Sequence, residues 1–233
     1  MTAQIVAPLA QRRRHAPFGG VLTFAGHACG SQSAEELRAI AAAERAAVRE
    51  TAEELATVGV QAPARSVGTT PTAHQLETAE GVTEIRPGNY VFYDATQVAL
   101  GLMTIERCAL SVLATVVARP DPQRLILDCG SKALAAERLT TRTTGLGLVA
   151  GHEELTVDRL FEEHAVVEAS EPSTVPIGAR LRVIPNHSCA SANLHERMLV
   201  TEGDEVVDEW PVAARGWDPP ANERLTAPEV PRR

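Results

Sequence analysis

The sequence predicts an α/β region with parallel strands, followed by an antiparallel β module. Residues 20–94 alternate short apolar runs with stretches of helical periodicity, the pattern of parallel strands joined by helices. After about Leu110 the texture changes to short apolar or alternating runs punctuated by turn residues, as in a sandwich or barrel. The composition fits a globular protein: 233 residues, 44% hydrophobic and 22% charged, enough for one large domain or two small ones.

Residues 1–19 carry no clear period and read as a lead-in. Gly20 to Gly26 is a short apolar run bounded by glycines, which suits a buried parallel strand presenting His27 and Cys29 at its C-terminal end. Ser33 to Val58 is the firmest helix. Ser33 and Glu36 form a capping box, and Leu37, Ile40, Ala41, Val48, Ala52, Leu55 and Val58 keep one apolar stripe. Gly59 stops it, with Pro63 just beyond. Val60 to Val67 is the next strand, interrupted by Pro63.

Pro71 then fits the first position of a short helix capped by Thr70. Gly68 permits a close backbone approach, and free amides at that helix start favour a phosphate. A plain strand, turn and capped helix fits the same residues. Glu84 to Asp94 reads as a turn and a further strand, so this half is part of a barrel or of an open sheet.

In the second half the strand-like runs are Ser111–Arg119, Arg124–Cys129, Arg180–Ile184, Met198–Thr201 and Glu205–Trp210. Pro120-Asp121-Pro122, Gly145-Leu146-Gly147 and Glu202-Gly203-Asp204 mark turns between them. Residues 218–233 hold four prolines and read as a loose tail.

The net charge of −8 argues against a nucleic-acid groove and against an anionic membrane surface. No apolar run approaches the ~20 residues that span a bilayer. Arg12-Arg13-Arg14 is not followed by an apolar segment, which speaks against a secretory signal. The cysteines at 29, 108, 129 and 189 are scattered, the usage of reduced thiols in a cytoplasm. Lys132 is the only lysine.

The chemistry concentrates in Pro185 to His195. A strand-like run ends at the proline, and His187 and Cys189 follow two positions apart. In extended chain such residues share one side, so an imidazole and a thiolate converge on one ion. Both suit zinc, which keeps an open position when the protein supplies fewer than four ligands. A loop histidine beside a small thiol fits the pair equally. His152, His164 and His195 are candidate third ligands, which would give a metallohydrolase.

Seven short pieces resemble one family in order: Ala25-Gly26-His27, Ser66 to Thr72, Glu84 to Asp94, Leu127 to Ala133, Glu162-Glu163-His164, Pro185 to Cys189 and Ala214-Arg215-Gly216. They resemble the C-terminal part of the D-threonine aldolase / D-serine dehydratase family, alanine-racemase-like pyridoxal phosphate (PLP) enzymes of fold-type III. The resemblance implies α/β plus β architecture: residues 20–106 as part of a (β/α)8, TIM-type barrel, then residues 107–217 as the family's β-domain with a metal site. It implies His187 and Cys189 as ligands of a divalent metal, zinc or manganese. Gly68, Thr69 and Thr70 would hold the PLP phosphate, Tyr90 would line the cofactor site, and His27 would stand near the substrate hydroxyl as a base.

The implied activity is a PLP- and metal-dependent lyase acting on a D-3-hydroxy amino acid. The cofactor would act as electron sink, and the metal would polarise the β-hydroxyl. Two departures stand out. Cys29 replaces a tyrosine usual in the family, and nothing here corresponds to the early barrel strand that carries the Schiff-base lysine. Lys132 matches a β-domain motif instead. The expected partner is therefore a second copy, as a homodimer, or an N-terminal half supplied separately. Alone, the chain is expected to be oligomeric, aggregated or partly molten. The alternative is a non-catalytic remnant or split-protein subunit, a metal-binding β module that associates with a partner.

Overall fold

The computed structural model describes Pro8, residues 17–76 and residues 78–216. Most of the expected lead-in, with Arg12-Arg13-Arg14, and the tail at 218–233 lie outside the described residues.

Helix α1 (Ala34–Thr57) starts where Ser33 places its hydroxyl to accept from the Glu36 amide at 3.0 Å. The Glu36 carboxylate reaches back to the Gln32 amide at 2.7 Å, one residue earlier than in the usual capping box. The helix buries Leu37, Ala41, Val48 and Leu55, and Glu44 shares that stripe. Val58 is instead exposed at the C-cap, and Gly59 adopts φ +79°, the left-handed conformation that ends helices.

Strands β1 (Gly20–Leu22), β2 (Ala64–Val67) and β3 (Glu84–Ile85) form a parallel sheet in that order, with α1 packed on β1 and β2. The second strand begins only after Pro63, which has no amide to give to a ladder.

Two sequence expectations are corrected here. Helix α2 (Thr70–Ala73) is capped by Thr69 rather than Thr70, and Pro71 is its second residue. The Thr70 hydroxyl is engaged by the Tyr90 amide. Residues after Ile85 do not continue as a strand: Asn89–Val91 is a single 3-10 turn, Tyr93 has φ +54°, and Asp94 caps α3 (Ala95–Ala99). The Pro87-Gly88 pair and that cap break the apolar run.

The β module is a closed antiparallel barrel. Its strands are β4 (Val112–Asp121), β5 (Arg124–Leu127), β6 (Gly147–Val149), β7 (Leu155–Leu160), β8 (Ala165–Ala169) and β9 (Arg180–Pro185), in the order β4-β5-β8-β7-β6-β9. Alternate residues point inward, so Val116, Leu125, Leu127, Val157, Val167 and Val183 fill the core. Each such burial contributes about 1.5–3 kcal/mol.

Gly147, expected in a turn, begins β6. A Cβ there would come within 3.0 Å of the Ile184 carbonyl oxygen, so a side chain would crowd the close pairing with β9. Strands β10 (Arg197–Glu202) and β11 (Glu205–Pro211) form a separate two-stranded hairpin. Two short helices complete the module: α4 (Ser131–Leu134) after β5 and α5 (Ser188–Leu194) after β9. No described helix is long and apolar enough to cross a membrane.

Candidate functional site

Strand β9 delivers the chain to the site through buried Pro185 and Asn186. His187 keeps extended backbone, φ −136° and ψ 102°, but the next residue already opens α5. The expectation of extended chain through Cys189 is thus corrected, for the thiol sits on the first turn of a helix. The side chains nevertheless meet. Each is the largest cause of the other's shift: the thiol raises His187 to about 9, and the imidazole lowers the Cys189 thiol. On its other side, His187 Nδ1 pairs with the Glu137 carboxylate.

Segment 89–97 grips the chain around His187. Asp94 is fully buried, and its Oδ2 accepts from the Ser188 amide at 3.0 Å while Oδ1 accepts from the Gln97 amide at 3.1 Å. Burial raises the Asp94 carboxyl, against the lowering effect of these bonds. Asn89 Nδ2 donates to Asp94 Oδ2 and to Ser188 Oγ. The Thr96 hydroxyl donates to the Asn186 carbonyl at 2.7 Å. A hydrogen bond to a charged group contributes about 1.5–3 kcal/mol, so the clamp fixes both neighbours of the histidine.

Two thiols feel the same carboxylate. Burial first, and then the charge of Asp94, raises the Cys29 thiol and pushes Cys108 to about 11. The 3-10 turn Gly26–Gly30, which carries Cys29, packs against α1 and α2. His27 is exposed on that turn, and no hydrogen bond engages its ring among the described residues. Beyond it, a cleft of about 310 Å³ opens between Gly30 and Gln32 on one side and Arg138, Thr140, Thr141 and Thr143 on the other.

The phosphate-type loop follows β2. A Cβ on Gly68 would come within 3.1 Å of the Arg86 guanidinium carbon, so glycine is what lets Arg86 cross there. Arg86 Nε donates to Ser66 Oγ at 2.7 Å and Nη2 to the Thr23 carbonyl, tying β1 to β2. Buried Glu44 accepts from the Gly68 amide at 3.2 Å and from the Ala25 amide at 3.1 Å, so the Gly68 amide is already used. The Thr69 hydroxyl accepts from the Thr72 amide at 3.2 Å. Thr70 Oγ1 accepts from the Tyr90 amide at 3.1 Å, which leaves its own hydrogen to donate. Pro71 has no amide, and the Thr72 and Ala73 amides are taken by Thr69, so of the first amides of α2 that of Thr70 is left to donate. The hydroxyl and amide of Thr70 thus fit an anionic group, and the Tyr90 side chain stands half exposed alongside.

The donor set of His187 and Cys189 fits a borderline-soft divalent ion with open positions. Among the described residues, no group of three His, Cys, Asp or Glu is arranged to hold a metal. The expected third ligands are otherwise occupied or remote. His152 pairs with Glu154 at 2.9 Å, His195 Nε2 donates to the Ala133 carbonyl at 3.0 Å, and His164 is exposed in the β7–β8 turn. Lys132 is 58% exposed and paired with Glu162 at 2.7 Å and Glu163 at 3.1 Å, a surface cluster.

The sequence reading missed Asp94, Asn89 and Glu137. Asp94-x-x-Gln97 before Val98 and Leu100 has the form of a helix cap and was available as a signal. Nothing in the sequence marks Glu137, an exposed loop residue fifty positions from its partner.

Residues 109–201 match the putative serine dehydratase domain model. D-threo-3-hydroxyaspartate dehydratase of Delftia sp. (strain HT23) is 35% identical over 215 residues, covering 85% of this chain and 56% of that protein. Its solved structure superposes with a TM-score of 0.79 at 34% identity, covering 86% of this chain and 57% of that one. Structures of that dehydratase include a histidine-to-alanine variant and, in a metal-free form, a cysteine-to-alanine variant; the replaced residues lie two positions apart, as His187 and Cys189 do. D-threonine aldolase of Arthrobacter sp. is 32% identical over 221 residues, covering 91% of this chain and 56% of that protein. An alanine-racemase-like protein of Idiomarina loihiensis superposes with a TM-score of 0.80 at 30% identity, covering 92% of this chain and 60% of that one. The chain therefore spans little more than half the length of these relatives. It belongs to the D-threonine aldolase / D-serine dehydratase family of alanine-racemase-like, fold-type III proteins.

Proposed function

We propose that this chain forms the metal-bearing part of a PLP-dependent lyase acting on D-3-hydroxy amino acids. The carrying observation is the continuous contact path from the Thr70 hydroxyl, through Tyr90 and Asn89, to Asp94 and the helix start between His187 and Cys189. It joins a phosphate-type loop to a metal-type pair, and a lyase of this class uses both at one substrate. Residues 20–106 would be one segment of a larger (β/α)8 barrel, and residues 107–217 the β-domain that covers its mouth.

His187 and Cys189 would hold a zinc or manganese ion, which polarises a substrate β-hydroxyl when bound. The Thr70 amide and hydroxyl would hold the cofactor phosphate, and Tyr90 would flank its ring. The cofactor supplies an electron sink for charge developing at Cα. His27, exposed on its turn, would move the proton of the substrate hydroxyl. Removal of that proton lets the Cα–Cβ bond break, giving an aldehyde and glycine. Loss of the hydroxyl as water gives instead an enamine that hydrolyses to a 2-oxo acid and ammonia.

Lys132 is not the Schiff-base residue in this reading, because two glutamates hold it on the surface of the β module. That lysine would come from polypeptide other than these residues, with the exposed Leu22, Phe24, Ile85 and Val91 around the parallel sheet available to pack against it or against a second copy. The surface lysine also supports a second reading, a metal-binding subunit that is catalytically silent alone. Free thiols at all four cysteines support a reducing, cytoplasmic setting.

The test is product analysis on D-threonine, D-serine and D-threo-3-hydroxyaspartate. The chain would be supplied with PLP and Zn2+ or Mn2+, with and without a lysine-bearing N-terminal segment from a full-length relative. Turnover only with the added segment is expected. Turnover by neither mixture would favour the silent subunit, and turnover by the chain alone with an adduct on Lys132 would contradict the assignment of the lysine.

A further inference from the structure

We infer that Glu137 is a positioning residue for the metal pair, orienting the His187 ring from a loop that a strained turn at Ala135 directs toward it. The inference rests on the metal reading proposed above. A carboxylate only accepts, so its contact with Nδ1 keeps a proton there, and Nε2, the other ring nitrogen, is the one whose proton an ion would displace. Carboxylate–histidine–metal arrangements of this kind set both tautomer and ring direction.

The loop geometry is costly in its own right. Helix α4 ends at Leu134, and Ala135 takes φ 57° and ψ 171°, a conformation otherwise kept for glycine. Such a residue costs about 1–3 kcal/mol and persists only where its surroundings over-determine it. Here the surroundings are α5. Ser191 Oγ donates to the Ala133 carbonyl at 2.7 Å, and His195 Nε2 donates to the same oxygen at 3.0 Å.

The helix that bears Cys189 therefore also anchors the turn that projects Glu137. Thiol, imidazole and orienting carboxylate are set by one α4–α5 unit. The Glu137 side chain is half exposed, so the barrel core does not depend on it. The following residues, Arg138 to Thr141 and Thr143, contribute one wall of the cleft.

The test is isothermal titration of the purified chain with Zn2+, using wild type, Glu137→Ala and Glu137→Gln, with melting of the metal-free proteins and nitrogen-15 NMR of the His187 ring in the zinc-loaded ones. Glu137→Ala should weaken zinc binding about 10- to 100-fold and mix the two ring tautomers, with an unchanged metal-free melting temperature. Glu137→Gln keeps an acceptor for Nδ1 and should recover part of the loss. Zinc affinity within about twofold of wild type for Glu137→Ala, an unchanged tautomer, or a loss fully matched by metal-free destabilisation would each overturn the inference while leaving the metal pair standing. A wild-type chain that takes up no zinc would overturn both.

Discussion

Asp94 Oδ2 accepts a hydrogen bond from the Ser188 amide at 3.0 Å, across 94 positions of sequence. The bond fixes the backbone between His187 and Cys189, and it joins the α/β half of the chain to the β barrel. Its carboxylate is fully buried and accepts from Asn89 and Gln97 as well.

Asp94→Asn should therefore destabilise the chain by about 1–3 kcal/mol, because its oxygen can keep one of the Ser188 and Gln97 bonds while its nitrogen cannot accept the other. The midpoint of urea unfolding would report this. Thr96→Val, which removes only the bond to the Asn186 carbonyl, should cost about 1 kcal/mol. Equal stability of Asp94→Asn and wild type would show that the clamp contributes nothing.

Ala135→Gly should raise the melting temperature. Glycine relieves the φ 57° conformation, a gain of about 1 kcal/mol. At ordinary positions the same change costs about 0.5–1 kcal/mol, so the sign alone decides. A lower melting temperature would contradict the strain.

Alkaline stability should depend on Cys129. Burial raises this thiol from 9.0 to about 12, with the Asp128 charge adding to the effect. The folded state thus favours the neutral form. That stability is fully present below about pH 9 and is lost as pH rises toward 12. Between pH 9 and 11 wild type should lose more melting temperature than Cys129→Ala loses. Parallel curves would contradict the prediction.

Thiol labelling should follow exposure. Cys189 is exposed and its thiol is lowered by His187, whereas Cys129 is 3% exposed. A maleimide should modify Cys189 first and Cys129 last, and added Zn2+ should slow the reaction at Cys189 selectively. Equal rates with and without zinc would speak against metal binding there.

Local signals in the sequence were legible where one segment decides the structure. Ser33 and Glu36 set the start of α1 and the alternation at 180–184 gives β9, while the run from Gly20 gives a parallel β1 of only three residues, with Leu22 and Phe24 exposed rather than buried and His27 and Cys29 on a separate turn. Strands β6, β7 and β8 were not read, because Gly147–Val149 is too short for a period and its glycine imitates a turn. The extended reading of 187–189 failed for a different reason. The helix start there is stabilised by Asp94, a partner remote in sequence. Glu137 belongs to the same class, since its role exists only after α4 and α5 dock.

Metal analysis of wild type, His187→Ala and Cys189→Ala, purified in parallel and dialysed against limiting Zn2+, addresses the proposed centre most directly. The expected result is stoichiometric zinc in wild type and a substantial loss in each variant, with the metal-free proteins equally folded by circular dichroism. Undiminished zinc in both variants would contradict the assignment of His187 and Cys189 as the metal pair.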